Sequence, residues 1–300
     1  MQTSMAAQIP RLFLVDGSAY IFRAYFAMPP LSNDAGLPTN AIFGFTSMML
    51  KFLKQHQPEY VAVALDAGRE TFRNELFTDY KGNRPEAPAD LIPQFPYIRR
   101  VLQSLNLAVL ELAGYEADDI IATLCSKFSG AEIETIVVSS DKDLMQLVQN
   151  GVKLFDSAKD RWIGLDQVKE KFGVDPARVI DVMGLMGDSV DNIPGVKGIG
   201  EKTAIALIQQ FESLENLYER LSEVEKMKLR GAARIRTILE QGKESAFLSR
   251  ALATVKADVP IDIEIDRLRF PGLSQDKARE LFTELGFTNL LKVIGNGPEN

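Results

Sequence analysis

Short apolar runs alternate with longer helical patterns through the first half of the chain. The runs lack polar alternation and are rich in Val, Leu and Ala, which is typical of strands buried on both faces of a parallel sheet. They span residues 11–15, 60–65, 107–112 and 136–140. A helical pattern covers residues 40–55. The sequence therefore predicts an α/β fold, with a mostly parallel central sheet flanked by helices.

An acidic residue lies at or just beyond the carboxyl end of each apolar run. These residues are Asp16, Asp66, Glu116 and Asp141. The carboxyl ends of parallel strands share one edge of a sheet, and ligands bind at that edge in open α/β folds, so we expect the four carboxylates to converge. A single strand that ends in Asp usually marks only a turn, but turn chemistry does not explain four such ends.

Further carboxylates accompany two of these four acids. Asp118 and Asp119 follow Glu116, and Asp143 lies two residues after Asp141. Carboxylates this close repel one another and raise each other's pKa unless cations lie between them. We interpret the two clusters as walls of one metal site. Taken alone, the cluster around Glu116 is explained equally well by the preference of acids for a helix N-terminus.

A polar segment, residues 67–96, connects the second and third runs. Its four prolines predict a mobile loop or an irregular helical excursion above the acids. Its basic and aromatic residues are Arg69, Arg73, Lys81, Arg84, Phe72, Phe77 and Tyr80. Basic groups above carboxylates suit a site where a phosphate bridges them. On composition alone, a solvated loop with ordinary surface charge is the better interpretation.

Helical patterns dominate after Val152. Asp188 and Asp191 lie three residues apart, so in a helix both would lie on one face, where they could share a cation. The segment 195–200 is rich in glycine and precedes a predicted helix over residues 204–211. It matches neither the Walker phosphate loop nor the dinucleotide-binding motif.

Glycines before a helix let backbone N–H groups approach a phosphate closely. Residues 193–211 therefore predict an element like a helix-hairpin-helix, which grips duplex backbone without reading its sequence. Its candidate contacts are Gly195, Lys197, Gly198, Gly200 and Lys202. A basic surface follows, formed by Lys226, Lys228, Arg230, Arg234, Arg236 and Lys243. A charged helix by itself is more often a solvated face.

The composition narrows the class of protein. Three hundred residues, 46% hydrophobic and 25% charged, suit a globular protein with one large core or two domains. The formal charge of −7 argues against a uniformly basic nucleic-acid binder but allows local basic patches. The single cysteine, Cys125, excludes a disulfide framework. With no secretory signal and no apolar run of membrane-spanning length, we expect a cytoplasmic protein.

Taken in order, these acids and the hairpin resemble the flap endonuclease/5′-nuclease family. Within it, the likeness is greatest to the N-terminal 5′→3′ exonuclease domains of bacterial DNA polymerases I, from about Leu12 to about Leu291. The resemblance implies a PIN-like catalytic domain, residues 1–184, and a helical DNA-binding region, residues 185–300. The final residues, 295–300, are typical of a linker, so a covalently linked polymerase domain could follow.

The resemblance also implies a reaction. Members of the family hydrolyse phosphodiesters near single-strand/duplex junctions with two Mg²⁺ or Mn²⁺ ions. The expected substrates are DNA with a 5′ flap, nick or pseudo-Y and RNA–DNA primer junctions, in replication and repair. By resemblance, the first ion would be bound by Asp16, Asp66, Glu116 and Asp118. The second, looser site would be completed by Asp119, Asp141, Asp143, Asp188 and Asp191.

For the segment 67–96 the resemblance implies a helical arch over the 5′ single strand. Lys81 and Arg84 would then contact the scissile phosphate, with Arg23 nearby, and Tyr80 could stack on a base. Arg73 and Arg234 are further candidate DNA contacts. The glycine hairpin would hold duplex DNA and could coordinate K⁺ through backbone carbonyls.

Two other functions remain open from the sequence. A catalytically silent DNA-junction binder would keep the fold and the hairpin without turnover, and the intact set of acids argues against it. A phosphatase-like hydrolase could use Asp141-x-Asp143 with an aspartate nucleophile, but it would give the hairpin and the basic helices no role.

Overall fold

The computed structural model describes residues 9–295 and contains one six-stranded sheet. The strands are β1 (Arg11–Asp16), β2 (Tyr60–Ala64), β3 (Ala108–Leu110), β4 (Glu134–Val138), β5 (Val152–Asp156) and β6 (Arg161–Ile163). Their order is β3-β2-β1-β4-β5-β6, and every neighbouring pair is parallel except β5 with β6. The predicted fold class, a mostly parallel sheet with flanking helices, is confirmed.

The four predicted strands are neighbours at one side of this sheet. β3 is shorter than the apolar run that predicted it, since only residues 108–110 pair with β2. The expectation that helices dominate after Val152 is wrong for β5 and β6. β5 begins at Val152 and pairs with β4, and β6 is a three-residue antiparallel edge.

Helices cover both faces of the sheet. Within residues 9–295 they are α1 (Gly17–Ala27), α2 (Asn40–His56), α3 (Phe72–Leu76), α4 (Phe95–Ser104), α5 (Ala117–Phe128), α6 (Leu165–Phe172), α7 (Val179–Met186), α8 (Glu201–Phe211), α9 (Leu214–Glu219), α10 (Ala232–Gln241), α11 (Lys243–Ala253), α12 (Gln275–Glu284) and α13 (Thr288–Gly295). The helices predicted over 40–55 and 204–211 correspond to α2 and α8. No helix in the described part of the chain could span a membrane.

Two hydrophobic cores lie on opposite faces of the sheet. Along β1, Leu12 and Leu14 belong to one core, and Phe13 and Val15 belong to the other. This alternation places successive side chains on opposite faces, as strand geometry requires. The first core also contains Leu207 from α8, so the chain after residue 185 packs against the same core as the sheet. The division into domains at residue 184 stays a prediction. The linker predicted over 295–300 lies, after Gly295, outside the described residues.

The segment between α7 and α8 forms a tight hairpin. Gly187 and Gly195 both have a positive φ, +70° and +61°, and their backbones lie against each other. A Cβ atom at Gly187 would lie 2.5 Å from the carbonyl oxygen of Ile193. Only glycine allows both the backbone conformation and this approach.

We expect Gly187→Ala to lower the free energy of unfolding by about 2–5 kcal/mol, since it adds left-handed strain and a steric overlap. The control is Gly36→Ala, because Gly36 has a φ of +80° and no atom within 4 Å of the added Cβ. Its cost should be about 1–2 kcal/mol, from strain alone. Urea denaturation measures both values, and equal losses would contradict the close packing of the hairpin.

Candidate active site

The carboxyl ends of the neighbouring strands β3, β2, β1 and β4 form one edge of the sheet that carries acids. Asp16 ends β1, where its Oδ1 accepts the backbone N–H of Ala19 (3.0 Å) and its Oδ2 accepts the hydroxyl of Ser139 (2.8 Å). Asp66 follows β2, and its Oδ1 accepts the N–H of Ala117, the first residue of α5 (2.8 Å). These bonds fix the two carboxylates against the starts of α1 and α5.

Glu116 lies immediately before α5 and is almost fully buried. Its carboxylate accepts hydrogen bonds from Lys81 Nζ (2.6 Å), the Tyr80 hydroxyl (3.2 Å) and Arg73 Nη1 (3.3 Å). All three donors come from the segment 67–96. Contact between this segment and the acids is therefore direct, through ion pairs.

Asp188 and Asp191 reach the same edge from the hairpin. The conditional prediction that a helix aligns them is wrong, because residues 188–193 form a turn in which Asp188 Oδ1 accepts the N–H of Val190 (2.7 Å). Asp191 forms ion pairs with Arg84 and, at 3.6 Å, with Lys81. Asp188 pairs with Lys142 at 2.6 Å. A turn brings the two acids to the site instead of a helix face.

Eight of the nine predicted metal ligands either have a raised pKa or raise the pKa of a neighbouring acid. Burial, then the neighbouring acids Asp66 and Asp141, raises the pKa of Asp16 to about 6. Burial raises the pKa of Asp118 well above its usual value, and Asp16, Asp141 and Glu116 raise it further. Burial, Asp141, Asp188 and Asp191 raise the pKa of Asp143 to about 8. We call these eight residues the acidic rim: Asp16, Asp66, Glu116, Asp118, Asp141, Asp143, Asp188 and Asp191.

Asp119 is the exception, and its predicted role as a metal ligand is contradicted. Its side chain is fully buried, and Arg73 donates two hydrogen bonds to it, at 2.7 and 2.8 Å. Its oxygens also accept the backbone N–H groups of Glu116 (3.0 Å) and Lys256 (2.8 Å). With four donors around it, the carboxylate has no lone pair directed toward an ion.

One predicted DNA contact is contradicted for the same reason. Arg73 is 2% exposed, and its guanidinium is used entirely inside the protein, so it cannot reach a base or a phosphate without unpacking this part of the core. Tyr80 is 5% exposed, and its ring lies beneath the ammonium of Lys81, 5.1 Å from Nζ to the ring centroid. Because Tyr80 also lines the cavity beside the acidic rim, its stacking on a base stays a prediction.

Of the other predicted DNA contacts, all except Gly195 are at least partly exposed. Arg23 donates to Ser157 Oγ at 3.3 Å, and Arg84 is 44% exposed at its side chain. On the hairpin, Gly195 is buried, whereas four candidates face outward: Lys197, Gly198, Gly200 and Lys202. Arg234 is exposed on α10, where Ile238, one turn later, lies beside Gly198.

A cavity of about 610 Å³ lies between the segment 67–96 and the acidic rim. Its polar lining includes Asp66, Glu116, Lys81 and Arg84, and its apolar lining includes Phe22 and Phe95. The helical parts of the segment are α3, a 3-10 helix at Ile92–Gln94 and the first two residues of α4, and turns and irregular chain separate α3 from the 3-10 helix. It therefore covers the acids as an irregular excursion.

The donor chemistry of the acidic rim suits a hard divalent cation, since carboxylate oxygens are the ligands that Mg²⁺ and Mn²⁺ prefer. Asp143 Oδ1 is buried without a hydrogen-bond partner in residues 9–295, so it has a free lone pair. In the described chain, however, no three acidic, His or Cys side chains are gathered at coordination spacing. Lys81, Arg84 and Lys142 are paired with the carboxylates instead.

Two groups that support the rim were not predicted from the sequence. In the sequence Lys142 only separates Asp141 from Asp143, yet its ammonium pairs with the carboxylate of Asp188. Ser139 follows β4 directly and donates to Asp16. Its position at a strand end, next to an acid on the neighbouring strand, was the available signal.

Comparison with known proteins identifies both halves of the chain. Residues 11–173 match the family model of the 5′-3′ exonuclease N-terminal resolvase-like domain, and residues 174–276 match that of the 5′-3′ exonuclease C-terminal SAM fold. A 5′-3′ exonuclease of Aquifex aeolicus is 38% identical and covers 94% of both chains. DNA polymerase I of Bacillus subtilis is 42% identical over 95% of this chain, which spans only 32% of that relative.

Solved structures agree on the fold. Zinc-bound T5 5′-exonuclease superimposes with a TM-score of 0.65 at 22% identity, covering 95% of this chain and 99% of the other. The catalytic core of Rad2 in complex with DNA substrate gives a TM-score of 0.62 at 16% identity, covering 95% and 92%. At these identities the likeness supports the fold alone.

The contrast between Asp118 and Asp119 gives a prediction. Asp119→Asn breaks a buried ion pair and should lower the free energy of unfolding by about 3–5 kcal/mol. Asp118→Asn removes one of several crowded charges and should cost nothing or stabilise the protein. Urea denaturation in chelator compares the two variants. A larger loss for Asp118→Asn would contradict this assignment.

The raised pKa of Asp143 predicts a pH dependence. Its unfolded pKa lies near 3.8 and its folded pKa near 8, so its stabilising contribution is full below pH 3.8 and is lost as pH rises through 8. In chelator, wild-type stability should therefore fall between pH 6 and pH 8 relative to Asp143→Asn. Burial lowers the pKa of His56, which acts with the opposite sign but is common to both proteins. Parallel stability curves would contradict the prediction.

Proposed function

The chain belongs to the 5′-3′ exonuclease family, and on that basis we propose that it hydrolyses phosphodiesters near junctions between single-stranded and duplex DNA. The observation that supports this most is the acidic rim beside a cavity that also presents Lys81 and Arg84. Carboxylates alone would suit many metal enzymes. Carboxylates together with lysine and arginine side chains at a cavity suit a polyanionic substrate.

We propose that the rim holds two divalent ions, Mg²⁺ or Mn²⁺. Asp16, Asp66, Glu116 and Asp118 would form the inner set, and Asp141, Asp143, Asp188 and Asp191 the outer set. When bound, such a pair supplies an activated water and stabilises the leaving oxygen. The acids need these cations, because burial and mutual repulsion already raise the pKa of Asp16, Asp118 and Asp143.

Lys81 and Arg84 would bind the scissile phosphate. Glu116 and Asp191 outweigh the effect of burial and raise the pKa of Lys81, so its ammonium stays charged at the edge of the cavity. Both side chains now use rim carboxylates as partners, and a phosphate at the same place offers equivalent acceptors. Arg23, which donates to Ser157 just beyond the carboxyl end of β5, would assist.

Duplex DNA would lie along the hairpin and α10. Gly198 and Gly200 expose backbone in front of the N-terminus of α8, with Lys197 and Lys202 on either side. Arg234 extends this surface, and hairpin carbonyls would be the ligands of a K⁺ ion. Backbone and lysine contacts of this kind hold phosphates without reading sequence.

The 5′ single strand would enter the cavity under the segment 67–96. This arrangement selects substrates with a 5′ flap, nick or pseudo-Y, and primer junctions between RNA and DNA. We propose roles in primer and flap removal during replication and repair, in the bacterial cytoplasm at the nucleoid. The chain spans about a third of the polymerase relatives, so a linked polymerase domain is part of the proposal.

The first test is cleavage of an end-labelled 5′-flap duplex. We expect cuts at or near the junction with Mg²⁺ and none with chelator. Glu116→Gln should reduce the cleavage rate about 100-fold or more and leave flap binding intact, because the hairpin is unchanged. The matched control is Glu111→Gln, since Glu111 is exposed, follows β3 and pairs with Arg99.

Tight flap binding by the wild type without any cut, in Mg²⁺ or Mn²⁺, would contradict the nuclease and favour a junction binder. A phosphatase using Asp141 would instead release phosphate from small esters. That hypothesis is disfavoured because it gives the hairpin and the basic helices no role.

A further inference from the structure

One helix, α11, contacts both the glycine hairpin and the acidic rim. Near its start, Ser245 donates its hydroxyl to the carbonyl of Gly195 (2.5 Å). One turn later, Ser249 Oγ accepts the N–H of Gly195 (2.8 Å). Both backbone groups of this glycine are thus held by α11, so the hairpin cannot shift independently of the helix.

The carboxyl end of α11 is held by two side chains from elsewhere in the chain. Arg73 donates to the carbonyls of Leu252 and Thr254, both at 2.9 Å. Gln146 donates to the carbonyl of Ala253 (2.9 Å), and its Oε1 accepts the N–H of Val255 (3.0 Å). The last carbonyls of a helix have no partner within it, and these contacts satisfy them.

Arg73 and Gln146 each also contact one wall of the rim. Arg73 donates to Glu116 (3.3 Å) and forms the buried ion pair with Asp119 in the first turn of α5. Gln146 lies three residues after Asp143 and donates to its backbone carbonyl (2.8 Å). All five N–H groups of Arg73 are engaged, so its orientation is fixed.

We propose that Arg73 and Gln146 are positioning residues that fix the Glu116–Asp118 wall and the Asp141–Asp143 wall of the rim to the carboxyl end of α11. Duplex DNA bound at the hairpin would then determine which phosphate lies at the carboxylates. This inference rests on the proposed nuclease function. α11 is about 16 Å long at 1.5 Å per residue, and a helix of that length transmits position rigidly.

Gln146 is the residue to change, because its loss leaves the charges of the rim intact. The test compares Gln146→Leu with Gln149→Leu, in which an exposed glutamine three residues later is replaced. Three quantities are measured: binding of a 5′-flap duplex in chelator, single-turnover cleavage with Mg²⁺, and the position of the cut. A 1 Å misplacement of reacting groups lowers the rate about 100-fold. Loss of the Gln146 contacts, with those of Arg73 unchanged, should therefore lower the cleavage rate about 10-fold or more.

We expect Gln146→Leu to bind the flap within about twofold of wild type, to cleave more slowly and to spread its cuts over neighbouring positions. Gln149→Leu should match wild type in all three. Hydrogen exchange provides a readout without turnover. A blunt duplex in chelator should slow exchange at residues 116–119 and 141–147 in the wild type, and this protection should be lost in Gln146→Leu.

A second variant acts at the contact between α11 and the hairpin. Ser249→Ala leaves Gln146 and the rim unchanged, and it should produce the same spread of cuts. Ser249→Ala still tests the proposal if Gln146→Leu folds poorly. Normal cut positions and normal duplex-induced protection in Ser249→Ala, or in folded Gln146→Leu, would overturn the proposal. A wild type that does not cut flaps would instead refute the proposed function. The exchange measurement would still test whether duplex binding protects the two walls of the rim.

Discussion

Eight carboxylates repel one another at one edge of the sheet, and the surrounding structure must offset this repulsion. Part of the cost is offset by hydrogen bonds from Ala19, Ser139 and the first turn of α5. Part is offset by Lys81, Arg84 and Lys142, which come from loops above the edge. Burial, together with the repulsion that remains, raises the pKa values of Asp16, Asp118 and Asp143. A site balanced in this way favours added cations, because each one replaces repulsion with attraction.

Residues of the same type have opposite roles at this edge, and the groups that surround each side chain decide which role it has. Asp118 faces the rim, whereas Asp119, the next residue on α5, points into the core and pairs with Arg73. Arg73 and Arg84 both belong to the segment 67–96, yet Arg73 is sealed inside and Arg84 stays half exposed. The buried pair stabilises the fold and anchors the segment, which leaves the exposed cations free to exchange partners.

Much of this arrangement is predictable from the sequence. Unbroken apolar runs identified β1, β2 and β4, and the rule that ligands bind at the carboxyl ends of parallel strands placed Asp16, Asp66, Glu116 and Asp141 together. Spacing alone added Asp118 and Asp143 to the two acidic clusters and identified Asp188 and Asp191 as a pair, and the resemblance to 5′-nucleases assigned all four to the metal site. The inward turn of Asp119 was not predictable, because the first turn of a helix shows too few residues to define a buried face. Nor was Gln146, whose partners are backbone groups more than 100 residues away.

We propose that the acidic rim, without Asp119, binds two divalent ions, and anomalous diffraction from crystals soaked in Mn²⁺ tests this proposal. We expect two manganese peaks at the carboxyl ends of β1, β2 and β4, each about 2.2 Å from rim carboxylate oxygens, with Asp119 still bonded to Arg73. A manganese ion coordinated by Asp119, or crystals with no peak at the rim, would contradict it.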